Sequence, residues 1–131
     1  MQTLQPPGWT RPKGYANGVI ASGRMLFVAG QVGWDADEVF RSADLVDQIR
    51  QALANVLTIL AAGEAGPQHI VRMTWYLGDA AEYNARLGEI GAVYRALVGN
   101  HYPAMSAVQV AGFVEAGAKV EIEVTAVLPD D

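Results

Sequence analysis

Two glutamates raise the first chemical question. In the stretch KVEIEV, Glu121 and Glu123 stand two residues apart, which on a β-strand puts both carboxylates on one face about 6.6 Å apart. Such a pair could divide acid and base roles on a glycosidic bond. Ordinary alternation on a polar sheet face accounts for the spacing equally well, so the glycosidase reading is set aside. Only two histidines occur, His69 and His101, in neither an HxxxH nor an HxH spacing, so no metal site is expected. With no cysteine in the chain, thiolate nucleophiles, thiolate metal sites and disulfides are excluded. His101 opens the loop HYPAM and could move a proton there; a plain loop histidine is the simpler reading. The same loop ends in Met105.

Seven elements must position these groups. Proline and glycine punctuation around Trp9 predicts an irregular arm over 1–14. Two short β-rich runs, Gly18 to Ala21 and Met25 to Ala29, are joined by Ser22-Gly23 and read as a hairpin. In the second run both faces are apolar, so something must cover each. Ser42 is the expected N-cap of a helix whose apolar residues, from Leu45 to Leu60, recur at helical spacing until Gly63. HIVRMTWYL reads as a strand. Asp79 and Glu82 start a second helix, with Tyr83, Leu87, Ile90, Tyr94 and Leu97 on one face, ending near Gly99. Gly88 and Gly91 inside it each cost about 1 kcal/mol relative to alanine, which predicts close packing there or the approach of a ligand. Strands follow at Ser106 to Val110 and Lys119 to Val127, the last with Val120, Ile122, Val124 and Ala126 on one side and Glu121, Glu123 and Thr125 on the other. This order predicts an α+β sheet with two helices on one face.

Length and composition set the outer bounds. The 131 residues fit one domain. Residues are 51% hydrophobic and 18% charged, a balance that predicts apolar surface covered by another subunit. A net charge of −5 with nine scattered basic residues argues against a nucleic-acid partner, which would need cations against phosphates. No apolar run approaches the ~20 residues of a membrane span, and MQTLQPPGWTRPKGY lacks the pattern of a secretory leader. The expectation is a soluble, cytoplasmic protein without a membrane partner.

The stretches FVAGQVGWD, QIRQALANVLTILAAGEA, IVRMTWYLGD, YPAMSAVQVA and KVEIEVTAV occur in order, and together they resemble the RidA/YjgF reactive-intermediate deaminases from Tyr15 to Val127. The resemblance implies a chorismate-mutase-like α+β fold, with a mixed sheet and two helices on one face, assembled as a homotrimer with ligand clefts between subunits. It implies hydrolysis of 2-imino and 2-enamino acids to ammonia and a 2-keto acid, with no cofactor and no metal. It places the catalytic acid at Glu121 and cleft residues at Tyr15, Gly30, Tyr83, Met105 and Ala107. Family members carry a substrate-anchoring arginine directly after Pro-Ala; here that position is Met105. The segment from Asp79 to Tyr94 is about one helical turn longer than usual, so the asparagine common in that helix is assigned to no residue.

Losing a guanidinium–carboxylate contact worth about 1.5–3 kcal/mol predicts that ordinary 2-imino acids are not the substrate. The favoured reading is a hydrolase of an imine or enamine recognised through a neutral or apolar group. Its alternative is a non-catalytic trimer binding a small ligand in the same clefts. Ribonuclease activity is disfavoured by the acidic charge. If a cation replaces the missing arginine, Arg24, Arg72 and Arg86 are the candidates. Glu121 has a purely structural alternative, pairing with Lys119 or Arg72.

Overall fold

A computed structural model describes residues 1–130. The main sheet consists of β3 (Arg24–Val32), β4 (Ile70–Leu77), β5 (Ala104–Gln109) and β6 (Val120–Leu128), with β1 (Gln2–Leu4) and β2 (Gly18–Ile20) forming a separate pair. The helices are α1 (Leu45–Ala62), α2 (Ala80–Ala85) and α3 (Leu87–Leu97). Strand order in the main sheet is β3-β6-β4-β5; β4 and β5 run parallel and the other pairs antiparallel. The last strand of the chain therefore inserts between β3 and β4. Its strict alternation reflects that place: Val120, Ile122, Val124, Ala126 and Leu128 are buried, and the residues between them are half-buried.

Helix α1 supplies most of the cover for one face. Leu45, Val46, Ile49, Leu53, Val56 and Leu60 are buried against Val28, Met73, Trp75, Ile122 and Val124. Leaving water is worth about 1.5–3 kcal/mol for each large side chain, and that burial orients the helix. The cap is Asp44, not Ser42: the Asp44 carboxylate accepts the Asp47 N–H, while the Ser42 hydroxyl accepts from Asp44 and donates to Asp47. The helix ends at Gly63, as its spacing predicts.

Several expectations need correction. The hairpin does not form. The run at Gly18–Ile20 pairs with Gln2–Leu4, so the arm is not wholly irregular, and β3 pairs with β6 instead. Gly23 lies just before that β3–β6 ladder: it has φ +140°, and a Cβ there would sit 2.0 Å from the Leu128 carbonyl oxygen. What reads as turn chemistry in sequence is room for a neighbouring strand. The expected second helix is two helices, making three α-helices among the described residues, because the backbone turns out of helix at Arg86 (φ −125°, ψ 26°). The Arg86 guanidinium is held there by Asp44 at 2.6 Å and Glu89 at 2.7 Å. Strand β5 begins earlier than expected, at Ala104, with Met105 inside it.

The opposite face of the sheet is open. Phe27 is 70% exposed and Met25 59%, with Val108 also exposed in the row that contains Tyr76 and Glu121. Among the described residues no helix is long and apolar enough to cross a membrane.

Candidate functional site

Beside the edge strand β5, under α2 and α3, lies a cavity of about 500 Å³, a volume suited to a small organic ligand. Residues Tyr15, Tyr83, Met105 and Ala107, all expected at the cleft, border it. The register explains the last two: Met105 stands opposite Met73 and Ala107 opposite Trp75, so both side chains take the helix side of the sheet. Met105 packs against the core and contributes a thioether where a charge was expected.

The cavity wall is aromatic. Tyr94 stacks on Tyr102 with centroids 5.5 Å apart and planes inclined by 13°. Trp75 meets Tyr83 edge-on at 6.3 Å and Tyr94 at 6.4 Å. Burial pushes the Tyr83 and Tyr94 phenols above their ordinary pKa, so both stay neutral at physiological pH and can serve as hydrogen-bond donors, not as bases. Tyr94 donates its proton to the His101 carbonyl at 2.5 Å, which ties α3 to the loop before β5. Trp75 is 1% exposed, and its buried indole N–H has no partner among the described residues. Such an orphaned donor costs about 1–3 kcal/mol. Trp75, Tyr94 and Tyr102 escape a pattern reading because they look like core spacing; they become walls only when α3 folds over the sheet edge.

Gly30 and Glu121 lie elsewhere, together. A Cβ on Gly30 would come within 2.8 Å of the Glu121 Cδ, so the missing side chain leaves space for the carboxylate. Glu121 is half-buried on the open face and makes no side-chain hydrogen bond or ion pair among the described residues. The structural pairing is not found: Lys119 lies 3.5 Å from Glu82 instead, and Arg72 has no carboxylate partner among the described residues. The neighbouring Glu123 accepts from the Tyr76 hydroxyl at 2.5 Å, and that hydrogen bond raises the Tyr76 pKa. Among the described residues one glutamate of the pair is thus engaged and the other is not.

The six expected cleft residues therefore form two groups on opposite faces of one sheet. Glu121 on β6 and Met105 on β5 have β4 between them, a lateral separation of about 9.5 Å. A single chain does not bring them together. The three arginines considered as replacement cations do not border the cavity either. Arg86 is held by Asp44 and Glu89, Arg24 begins β3 opposite Leu128, and Arg72 projects on the open face near Glu123. The cations that do border it are Lys13 and Arg95. Both histidines serve local structure: His69 Nδ1 accepts the Gly66 N–H, and His101 Nε2 lies 2.7 Å from the Ile70 carbonyl oxygen.

The family model described as Endoribonuclease L-PSP matches residues 10–128. The human protein named 2-iminobutanoate/2-iminopropanoate deaminase is 28% identical over 97% of this chain and 88% of its own length. A protein of the same name from Capra hircus is 32% identical over the same shares. Among solved structures, YyfB from Yersinia pestis, described as a protein of unknown function of the conserved Rid family, aligns with a TM-score of 0.82 at 32% identity, covering 97% of this chain and 98% of its own. TdcF from E. coli with bound serine aligns at 0.68 with 30% identity, covering 98% and 99%. A family model spanning nearly the whole chain, together with relatives above 30% identity over the same length, makes this protein a member of the RidA/YjgF family.

Proposed function

We propose that this protein hydrolyses an imine or enamine without cofactor or metal, in clefts formed between the subunits of a homotrimer. Gly30 and Glu121 of one protomer close against Tyr15, Tyr83, Met105 and Ala107 of the next. The exposed Met25, Phe27 and Val108 support this assembly, since they leave on the open face the kind of apolar patch that subunits cover. In the reaction the Glu121 carboxylate takes a proton from water as its oxygen bonds to the electrophilic C=N carbon. Glu121 returns that proton to the nitrogen, giving a carbinolamine; the carbinolamine hydroxyl then passes its own proton to the nitrogen by way of Glu121 as the C=O bond forms and the C–N bond breaks, and ammonia and a carbonyl product leave, an enamine reacting as its imine tautomer.

The observation that carries this reading is Glu121 itself, an acid without a side-chain partner among the described residues, beside a glycine that leaves it room. Met105 sets the substrate: the group recognised beside the reacting carbon is apolar, and the aromatic wall accommodates a bulky hydrocarbon portion. Met105 is also what favours the second reading, a non-catalytic ligand-binding trimer, because it removes the usual anchor. RNA cleavage has no support from the site, where both histidines are taken up by local structure.

Ammonia release from a panel of imines generated in solution separates these readings. The expected result is turnover of imines with large apolar substituents, abolished in Glu121→Ala. Activity of Met105→Arg on short 2-imino acids, still requiring Glu121, would show that only the anchor was exchanged. Absence of release from wild type and Met105→Arg alike would favour the ligand-binding reading.

A further inference from the structure

We propose that Arg95, assisted by Lys13, is an anion-binding site in the aromatic cavity, so that the ligand carries a carboxylate at a distance from its reacting carbon. As an account of substrate this rests on the deaminase reading; as a binding site it rests on geometry alone. Four of the nine basic residues are already in ion pairs: Arg41, Arg50, Arg86 and Lys119. Arg95 makes none among the described residues. Its helical neighbours three and four positions away are Gly91, Ala92, Val98 and Gly99, so no carboxylate is placed to neutralise it along the helix.

The direction of the side chain matters more. An arginine in the last turn of a helix ordinarily serves the C-terminal carbonyls and the dipole. Arg95 instead folds back one turn toward the N-terminus, its Nη1 3.1 Å and its Cζ 3.9 Å from where a Cβ on Gly91 would lie. Gly91, whose helix-weakening residue type has no close packing against other elements to justify it, leaves the space the guanidinium occupies. Both residues border the cavity, as does Lys13 on the N-terminal arm. A guanidinium is charged at any physiological pH and offers a fork of donors that matches a carboxylate. In a chain of net charge −5, two cations at one aromatic-walled cavity, neither in an ion pair among the described residues, form a local exception to a field that otherwise repels anions. The cation expected on β5 is thus supplied from α3, across the cavity from Met105.

The test is calorimetric binding of 3-phenylpropionate and of its neutral amide to the intact protein. Because Arg95 and Lys13 are exposed, wild type is expected to bind the carboxylate about 2- to 5-fold more tightly than the amide, the range of a solvent-exposed ion pair, with the preference shrinking at high salt. Arg95→Gln should abolish the preference without changing amide affinity, Arg95→Lys should retain part of it, and Gly91→Ala, by displacing the guanidinium, should reduce it. Equal affinities in wild type, no carboxylate binding, a preference that survives Arg95→Gln, or one lost only in Lys13→Gln would each overturn the proposal. Binding is read independently of turnover. If Glu121-dependent ammonia release persists while the Arg95 effect is missing, this inference alone fails; if Arg95-dependent binding occurs without any release, the deaminase reading alone fails.

Discussion

Placing Glu121 and Met105 on opposite faces of one sheet leads to a quantitative prediction about mixed oligomers. Consider Glu121→Gln, which keeps the shape packed beside Gly30 but cannot accept a proton from water. Loss of such a base lowers turnover by about 10²- to 10⁴-fold, and the fold should survive because Glu121 makes no hydrogen bond or ion pair among the described residues. Consider also Ala107→Trp, whose bulk enters the 500 Å³ cavity from an exposed position on the edge strand. Each variant alone has no competent cleft. When equal amounts are unfolded together and allowed to reassemble, a cleft between two chains is wild type only if the chain supplying position 121 is the Ala107→Trp variant and the chain supplying position 107 is the Glu121→Gln variant. Random assembly of a ring makes that about one cleft in four. The assay is ammonia release from whichever imine wild type turns over best, with light scattering to verify that mixed particles form. Recovery to about a quarter of wild-type activity is the expected result. Mixed trimers no more active than either parent would refute the two-chain cleft.

Other outcomes follow from the same structure. Phe27→Asp places a charge on an exposed apolar patch, and light scattering should show a shift to smaller species at micromolar concentration with the helical circular dichroism retained. Ile122→Ala removes a fully buried side chain from the central strand and should cost about 2–5 kcal/mol in urea unfolding. The Arg86 cluster predicts a pH dependence. The bonds from Arg86 hold the Asp44 and Glu89 carboxyls below their ordinary pKa, so their contribution is fully present at neutral pH and is lost as pH falls through and below the ordinary carboxylate range near 4. Arg86→Met should flatten that acid limb of the stability profile while leaving its alkaline side unchanged. An acid limb identical in the two proteins would show that the cluster contributes nothing.

Some of this protein was legible from local pattern. The alternation of β6 and the helical period of α1 are properties of consecutive residues facing one environment, and each survived intact into the fold. The family motifs led to the RidA/YjgF assignment and to the expectation of six cleft positions. What failed or stayed hidden depended on contacts distant in the chain. Ser22-Gly23 has the chemistry of a hairpin turn, yet β3 found its partner about a hundred residues later, because a ladder of seven pairs against β6 satisfies more backbone groups than a three-residue run can. The helix after Asp79 breaks where Arg86 reaches Asp44, forty-two positions earlier.

The candidate site divides along the same line. Sequence by itself determined that an acid stands at 121 and a thioether at 105, because residue type is local. Only the tertiary structure decided that these lie on opposite sides of a sheet, that Trp75, Tyr94 and Tyr102 wall a cavity, and that Arg95 borders it. The physical reason is the crossover between β4 and β5: its helices must lie over one face of the sheet to bury Ile90, Val93 and Tyr94, and that burial brings an arginine from α3 to the same cavity as a methionine on the edge strand.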